Sequence, residues 1–503
     1  MSQCKEVIRR FFCGAVLVAL AYAATLPKFS VTPDVQAARD RISSDSLRGN
    51  LSFIASDLLE GRDTPSRGLD IAAEFIAAQF RRAGLEPAGN EGYFQTARIL
   101  VRVPNTDGFE LKLSHGGKEF TADAKDVIIR AASGLNLSDV PVIKADASDQ
   151  EAIESLTPDK LSNRVVILEL ARGRQRNMRG ALRRLRDAKP PLLVVVDRGG
   201  SGPEEPSGGQ LIDPDNPERA STPRITVQGT AAGKFYDSLR AGSTGAFASI
   251  HLAEPSEKTV QLRNVIGLLR GSDPSLKDTY VLVTAHYDHI GEKPAGEGDR
   301  IYNGANDDGS GTVSVIELAN TLSKLKERPR RSIVFMTFFG EEKGLVGSRY
   351  YAHHPLFPID KTVADINLEQ VGRTDSSEGP QIATASLTGV DYTNLTNYFQ
   401  SAGELTGVKI SKNKRDSDIY FAASDNQSLA DVGVPAQTLC VAFQYPDYHA
   451  VGDEWSKIDY DNMARVDRMA ALGVVMVADS PDAPQWNESN TRTAPYVKAR
   501  KSQ

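Results

Sequence analysis

The sequence predicts an α/β fold, a mostly parallel mixed sheet flanked by helices, interrupted by a β-rich insertion. Two observations carry this expectation. From RNVIGLL at 263 onward, short apolar runs alternate with stretches of helical periodicity, the pattern of strands buried between layers of helix. Between about 110 and 255 the chain changes to strand-like runs punctuated by Gly and Pro, which marks a second unit. A chain of 503 residues has room for several units of roughly 150 residues.

Taken in order, residues 1–23 read as an export signal. Lys5, Arg9 and Arg10 precede the apolar run FFCGAVLVALAYAA, and Ala21, Tyr22 and Ala23 form an AxA cleavage pattern. That run falls short of the roughly 20 residues that span a bilayer comfortably, so no integral membrane segment is expected after cleavage; an uncleaved anchor is the alternative. Cys4 and Cys13 lie inside the signal and leave Cys440 without a disulfide partner. Export without disulfides points to a secreted or periplasmic bacterial protein.

Residues 24–124 form the first part of the main domain. SLRGNLSFIASDLLEG and GLDIAAEFIAAQFRRAGL have helical spacing, with Ile71, Phe75, Ile76 and Phe80 on one face and Gly84 closing the second helix. Residues 125–255 form the insertion, in which RVVILEL, an Arg-rich helix and LLVVVD make a βαβ-like unit. Arg172, Arg174, Arg176, Arg179, Arg183, Arg184 and Arg186 lie on all sides of that helix, which fits a solvated surface better than an anion site. The loop SGPEEPSGGQLIDPDNPE is expected to be mobile. Residues 256–480 hold the strands YVLVTAH, SIVFMTFF, VADINLEQ and PAQTLCVAF, separated by helices at SGTVSVIELANTLSKL, LVGSRYYAH and NQSLADVG and closed by a helix from Met463 to about Ala478. The polar stretch 481–503 is expected to be a disordered tail. With 40% hydrophobic and 25% charged residues and a net charge of -6, nothing suggests nucleic acid or an anionic membrane as a partner.

In parallel sheets, ligands bind beyond the carboxyl ends of the strands. YVLVTAH ends in His286 and continues to Asp288; SIVFMTFFG runs into Glu341 and Glu342; VADINLE ends at Glu369; the last strand leads to His449 in QYPDYHAVGD. NGANDDGSG sets Asp307 and Asp308 before a helix start. Imidazoles and carboxylates together suit zinc or a similar divalent ion. Individually, His286 reads first as a core histidine, and Asp307 reads equally as a helix cap. NDDGSG fails as a calcium loop, because the first and twelfth positions would be Gly304 and Val315. His115, His251, His289, His353 and His354 lack such settings and read as structural or exposed. HExxH and GxSxG are absent, against helix-borne zinc proteases and common serine hydrolases.

The motifs AHYDHIG, NGANDDGSGT, FFGEEKGLVGS, NLEQVGR and YHAVGDEWSKIDY, in this order, resemble the co-catalytic zinc aminopeptidase family, which also includes glutamate carboxypeptidase, glutaminyl cyclase and the transferrin receptor. The resemblance spans about residues 45–110 and 260–478. It implies a metal-dependent exopeptidase acting on peptides, with two divalent ions, zinc first among them. Asp307 would bridge the ions, His286 and Glu369 completing one site and Glu342 and His449 the other. Asp288 would orient His286, Glu341 would be the general base, and Tyr448 would stabilise the oxyanion. Glu369 stands where many members have Asp, which leaves amino- against carboxy-terminal preference open. A carboxypeptidase or dipeptidase, and a receptor-like binding protein that has lost catalysis, are the alternatives. The insertion resembles, in position and in its βαβ unit, the protease-associated domain of some relatives.

Overall fold

The computed structural model describes residues 30–503 except 148, 170–180, 183, 186–187, 199–208, 217–221, 294–296, 378 and 412–413. The signal segment, most of the Arg-rich helix and the first half of the loop at 201–218 therefore lie outside the described residues.

The first helices begin where side chains cap them. Thr32 accepts from the Val35 amide at the start of α1 (Pro33–Arg39), Ser43 from Ser46 at α2 (Ser44–Ile54), and Ser66 from Leu69 at α3 (Arg67–Ala83). Gly84 ends α3 at φ +80, a conformation open to glycine at little cost. Apolar periodicity gives no warning of α1, whose only fully buried residue is Ala38.

Two long antiparallel strands tie the molecule together, β1 (Phe94–His115) and, after the insertion, Gly242–Leu269. Between them lie β2 (Leu135–Lys144), β3 (Val165–Glu169), β4 (Leu192–Asp197), β5 (Gln210–Ile212) and β6 (Arg224–Gln228); Gly242–Leu269 is β7. β2, β3, β4 and β6 pair side by side in parallel and join the amino-terminal half of β7. Its carboxyl-terminal half pairs with the main sheet through Val265–Leu269. The expected boundary at 255/256 thus falls inside one continuous strand. Register shifts between His251 and Ser256 are where the ribbon passes from one unit to the other. Strand periodicity does not record which sheet each half of a strand serves.

The main sheet continues with β8 (Tyr280–His286), β9 (Ser332–Phe338), β10 (Thr362–Leu368) and β11 (Ala436–Cys440), parallel in the order β11-β10-β8-β9, with β7 antiparallel beyond β9. Every residue of β9, β10 and β11 is buried, as expected of parallel strands covered on both faces. On one face pack α2, α3, α4 (Gly311–Leu322) and the long helix Tyr460–Asp479; on the other lie α5 (Val346–His353) and α6 (Asn426–Asp431). With Tyr460–Asp479 as α7, the chain ends in α8 (Ala494–Lys501).

Residues 481–503 are not the disordered tail that their polarity suggests. Trp486 is buried, its indole donates to the Gly433 carbonyl at 2.9 Å, and its ring stacks on Tyr496 at 4.9 Å. Two aromatic anchors outweigh a polar average, because burial of one such ring is worth about 1.5–3 kcal/mol. The described second half of the supposed mobile loop is also held. β5 pairs with Leu100–Arg102 of β1, Asp213 meets the His354 ring nitrogen at 3.2 Å, and Asn216 reaches the His353 ring. Asp213, Asp215 and His354 lie together at this seam; with Asp215 exposed, the cluster reads as a polar contact joining the insertion to the end of α5.

Candidate metal centre

Parallel register aligns the carboxyl ends of β8, β9 and β10, since Tyr280 lies opposite both Ser332 and Thr362. His286 is the last residue of β8 and Glu369 follows β10 directly. Glu341 and Glu342 lie just past β9, after Gly340 turns the chain at φ +68. Asp307 sits in the loop leading into α4, and His449 follows β11, held at φ +52. Left-handed backbone at a residue other than Gly costs about 1–3 kcal/mol and tends to persist at functional sites.

These side chains converge. Asp307 turns one oxygen to each of two imidazoles, Oδ1 lying 3.4 Å from Nε2 of His286 and Oδ2 3.1 Å from Nε2 of His449. Ligand atoms of His286, Asp307 and Glu369 lie within 4.8 Å of one another. On the other side, Glu342 Oε2 lies 3.2 Å from His449 Nε2. Glu341 stands apart, with Oε2 3.9 Å from His286 Nε2 and its amide donating to Asp288 Oδ1 at 3.0 Å. Asp288 lies beneath His286, but its carbonyl, at 3.2 Å, is nearer to Nδ1 than its carboxylate, at 3.5 Å. Tyr448 stacks on His449 at 4.2 Å, and burial with Asp307 and Glu342 nearby holds its phenol well above its usual pKa. All eight residues named from the sequence are therefore within one cleft.

The loops carrying these groups are cross-braced. Capping of α4 falls to Asp308, whose Oδ1 accepts from the amides of Gly311 and Gln370, and this leaves Asp307 free to face the imidazoles. Asp453 accepts from the amides of Asn306 and Asp307 and from the Tyr445 hydroxyl. Sequence reasoning missed Arg62, which is fully buried and donates to the carbonyls of Tyr287, Ile54, Asn303 and Gly304 at 2.7–3.0 Å. Burial pulls its pKa down to about 10 against Asp288, Asp453, Asp308 and Asp307, so it stays charged at neutral pH. The one available signal was LEGR, where Gly61 sits at φ +66 and an added Cβ would fall 2.3 Å from the Gly291 carbonyl. Arg62→Met would leave four carbonyls without this donor. It is expected to destabilise the protein by about 3 kcal/mol or more, at about 1–3 kcal/mol per unmet buried group. An unchanged denaturant midpoint would show that the carbonyls find other partners.

His289 is the second omission. Of the two readings, structural or exposed, exposure is excluded: it is fully buried with Nδ1 2.7 Å from Glu342 Oε1. Its setting was hidden because Glu342 comes from a different strand end, 53 residues away.

The electrostatics of the cleft match a place for cations. Glu342 is held down to about 2, where His449 and the hydrogen bond from His289 outweigh burial and Asp307. Glu341 moves the opposite way, well above the usual carboxylate range, because burial, Glu342 and Glu369 outweigh His286. Burial and Asp307 push Glu369 up to about 8 against His286. His286 Nε2 and Glu369 Oε2 are buried without a hydrogen-bond partner. Orphaned ligand atoms pointing into one cleft, from imidazoles and carboxylates, fit a divalent ion such as zinc.

The fold is a mixed α/β one, a mostly parallel sheet flanked by helices that gathers imidazoles and carboxylates past its strand ends. Residues 264–474 match Peptidase family M28, within the stretch whose motifs resemble the co-catalytic zinc aminopeptidases. A "Probable zinc metalloprotease" of Pyrenophora teres f. teres is 36% identical over 121 residues, 24% of this chain and 25% of that one. "Aminopeptidase YwaD" of Bacillus subtilis is 32% identical over 168 residues, 32% of this chain and 33% of that one. The matched stretch thus spans a quarter to a third of these curated relatives. Among solved structures, an aminopeptidase from Aneurinibacillus sp. strain AM-1 superposes with a TM-score of 0.59 at 18% identity, covering 89% of this chain and 97% of that one. At that identity the likeness is one of fold.

Proposed function

We propose that the chain is a metal-dependent exopeptidase, an aminopeptidase removing N-terminal residues from peptides. The observation that carries this reading is the single carboxylate of Asp307 facing two imidazoles, with Glu341 left outside the cluster as a proton acceptor. His286, Glu369 and Asp307 would hold one divalent ion, and Glu342, His449 and Asp307 the other. Zinc bound there would supply a Lewis acid and lower the pKa of the attacking water. Glu341 takes the water's proton and returns it to the leaving amine. Tyr448, fixed by its stack on His449, is suited to donate to the carbonyl oxygen as it gains charge.

Charge favours the amino end of the substrate. Asp425, buried near Glu341 and Glu369 and outside the proposed ligand set, is a carboxylate not committed to metal and suits a free ammonium. Nearby cations are already engaged, Arg373 by Asp375 and Asp447 and Arg62 by backbone carbonyls, which argues against capture of a C-terminal carboxylate. Glu369 in place of the family's usual Asp keeps the carboxypeptidase reading as the rival. We further read residues 125–255 as a protease-associated-like cover and residues 1–23 as an export signal for a secreted or periplasmic protein. Among the described residues no helix is long and apolar enough to cross a membrane.

The test is metal content alongside hydrolysis of paired peptides, one with a free and one with an acetylated N-terminus. About two zinc ions per chain and cleavage of the free peptide alone are expected. Cleavage of the acetylated peptide from its other end would move the assignment to a carboxypeptidase.

A further inference from the structure

His289 has no part in the ligand set proposed above, yet it is fully buried against it. Its ring is fully buried between the edge of His449, at 5.5 Å between centroids and 81°, and the backbone of Gly304. A Cβ on Gly304 would fall 2.4 Å from that ring, so the neighbouring loop is shaped to admit it. Facing a carboxylate at 2.7 Å, Nδ1 carries the proton and donates to Glu342 Oε1. The other oxygen, Oε2, faces His449 Nε2 at 3.2 Å, which is itself 3.1 Å from Asp307 Oδ2.

The two oxygens of Glu342 are therefore assigned to different tasks. We propose that His289 is a positioning residue that occupies Oε1, so that Glu342 presents Oε2 alone to the His449 side of the centre and holds that metal position tight. The inference rests on the metal-centre reading. Partners that orient a ligating side chain typically change metal affinity 10–100-fold when removed, by releasing it to other rotamers. A direct ligand role for His289 is the competing account, since its nitrogen lies within 4.8 Å of ligand atoms of Asp307 and Glu342.

Two variants separate these accounts. His289→Ala removes the donor, whereas His289→Asn keeps an amide N–H near the place of Nδ1 but is a poor zinc ligand. Zinc stoichiometry and stepwise affinity, measured by chelator competition on the full mature chain, are the readouts, with thermal unfolding to check the fold. His289→Ala is expected to weaken one of two zinc ions by about 10–100-fold and leave the other unchanged. His289→Asn should stay within a few-fold of the unmodified chain. Wild-type affinity at both positions in His289→Ala would overturn the proposal. Equal weakening in both variants would overturn it too, in favour of ligation or packing. Failure of the unmodified chain to bind zinc would remove the metal-centre reading itself, and is read on a separate sample.

Discussion

Glu341→Gln is expected to keep both metal ions and lose turnover by about 10²–10⁴-fold, the usual contribution of a positioned base. The two adjacent glutamates are chemically identical, so their division of labour must come from their surroundings. Glu342 is gripped on both oxygens, by His289 at 2.7 Å and His449 at 3.2 Å. Glu341 has His286 at 3.9 Å as its one ion-pair partner among the described residues, and its backbone is pinned by Asp288. Burial and neighbouring acids raise the first glutamate's proton affinity, while His449 and His289 keep the second ionised. Environments that drive two neighbouring carboxyls apart in this way mark an acid–base group beside an electrostatic one. Glutamine keeps the shape of Glu341 and cannot take a proton, so metal content tells the two roles apart. Near-normal turnover in this variant, or loss of metal from it, would refute the assignment.

What was legible beforehand follows from the distance over which each signal acts. The parallel sheet was readable because apolar runs and helical spacing are local, and the rule that sites lie past strand ends turns order along the chain into proximity. That is how His286, Glu341, Glu342, Glu369 and His449 could be gathered from the sequence. Arg62 could not be, because its bond to Tyr287 joins residues 225 apart and nothing near it announces four carbonyl acceptors. His289 was hidden in plain view, three residues past His286 in the same motif. Its significance depends on which way a loop side chain points, and no periodicity reports that once the strand has ended. The tail was misjudged for a related reason, since composition averages over residues while Trp486 and Tyr496 act singly.

Asp307→Asn should cost metal itself, and comparison with Asp308→Asn makes the result decisive. Both substitutions exchange one carboxylate oxygen for an NH₂ at adjacent, buried positions, so any general penalty of the change is shared. At 307 the two oxygens face His286 and His449, and an amide must turn a donor toward one of those nitrogens. At 308 only Oδ1 is used, accepting two backbone amides, while Oδ2 has no partner. Burial, with Glu369 and Asp307 adding to it against His286, raises Asp308 well above the usual carboxylate range, so a neutral amide there imitates the protonated acid. Asp307→Asn is therefore expected to lose at least one of two zinc ions, with affinity down about 10-fold or more. Asp308→Asn should retain both. If the two variants bound the same amount of metal, Asp307 would be an ordinary buried acid and the division of the cleft into two sites would have no foundation.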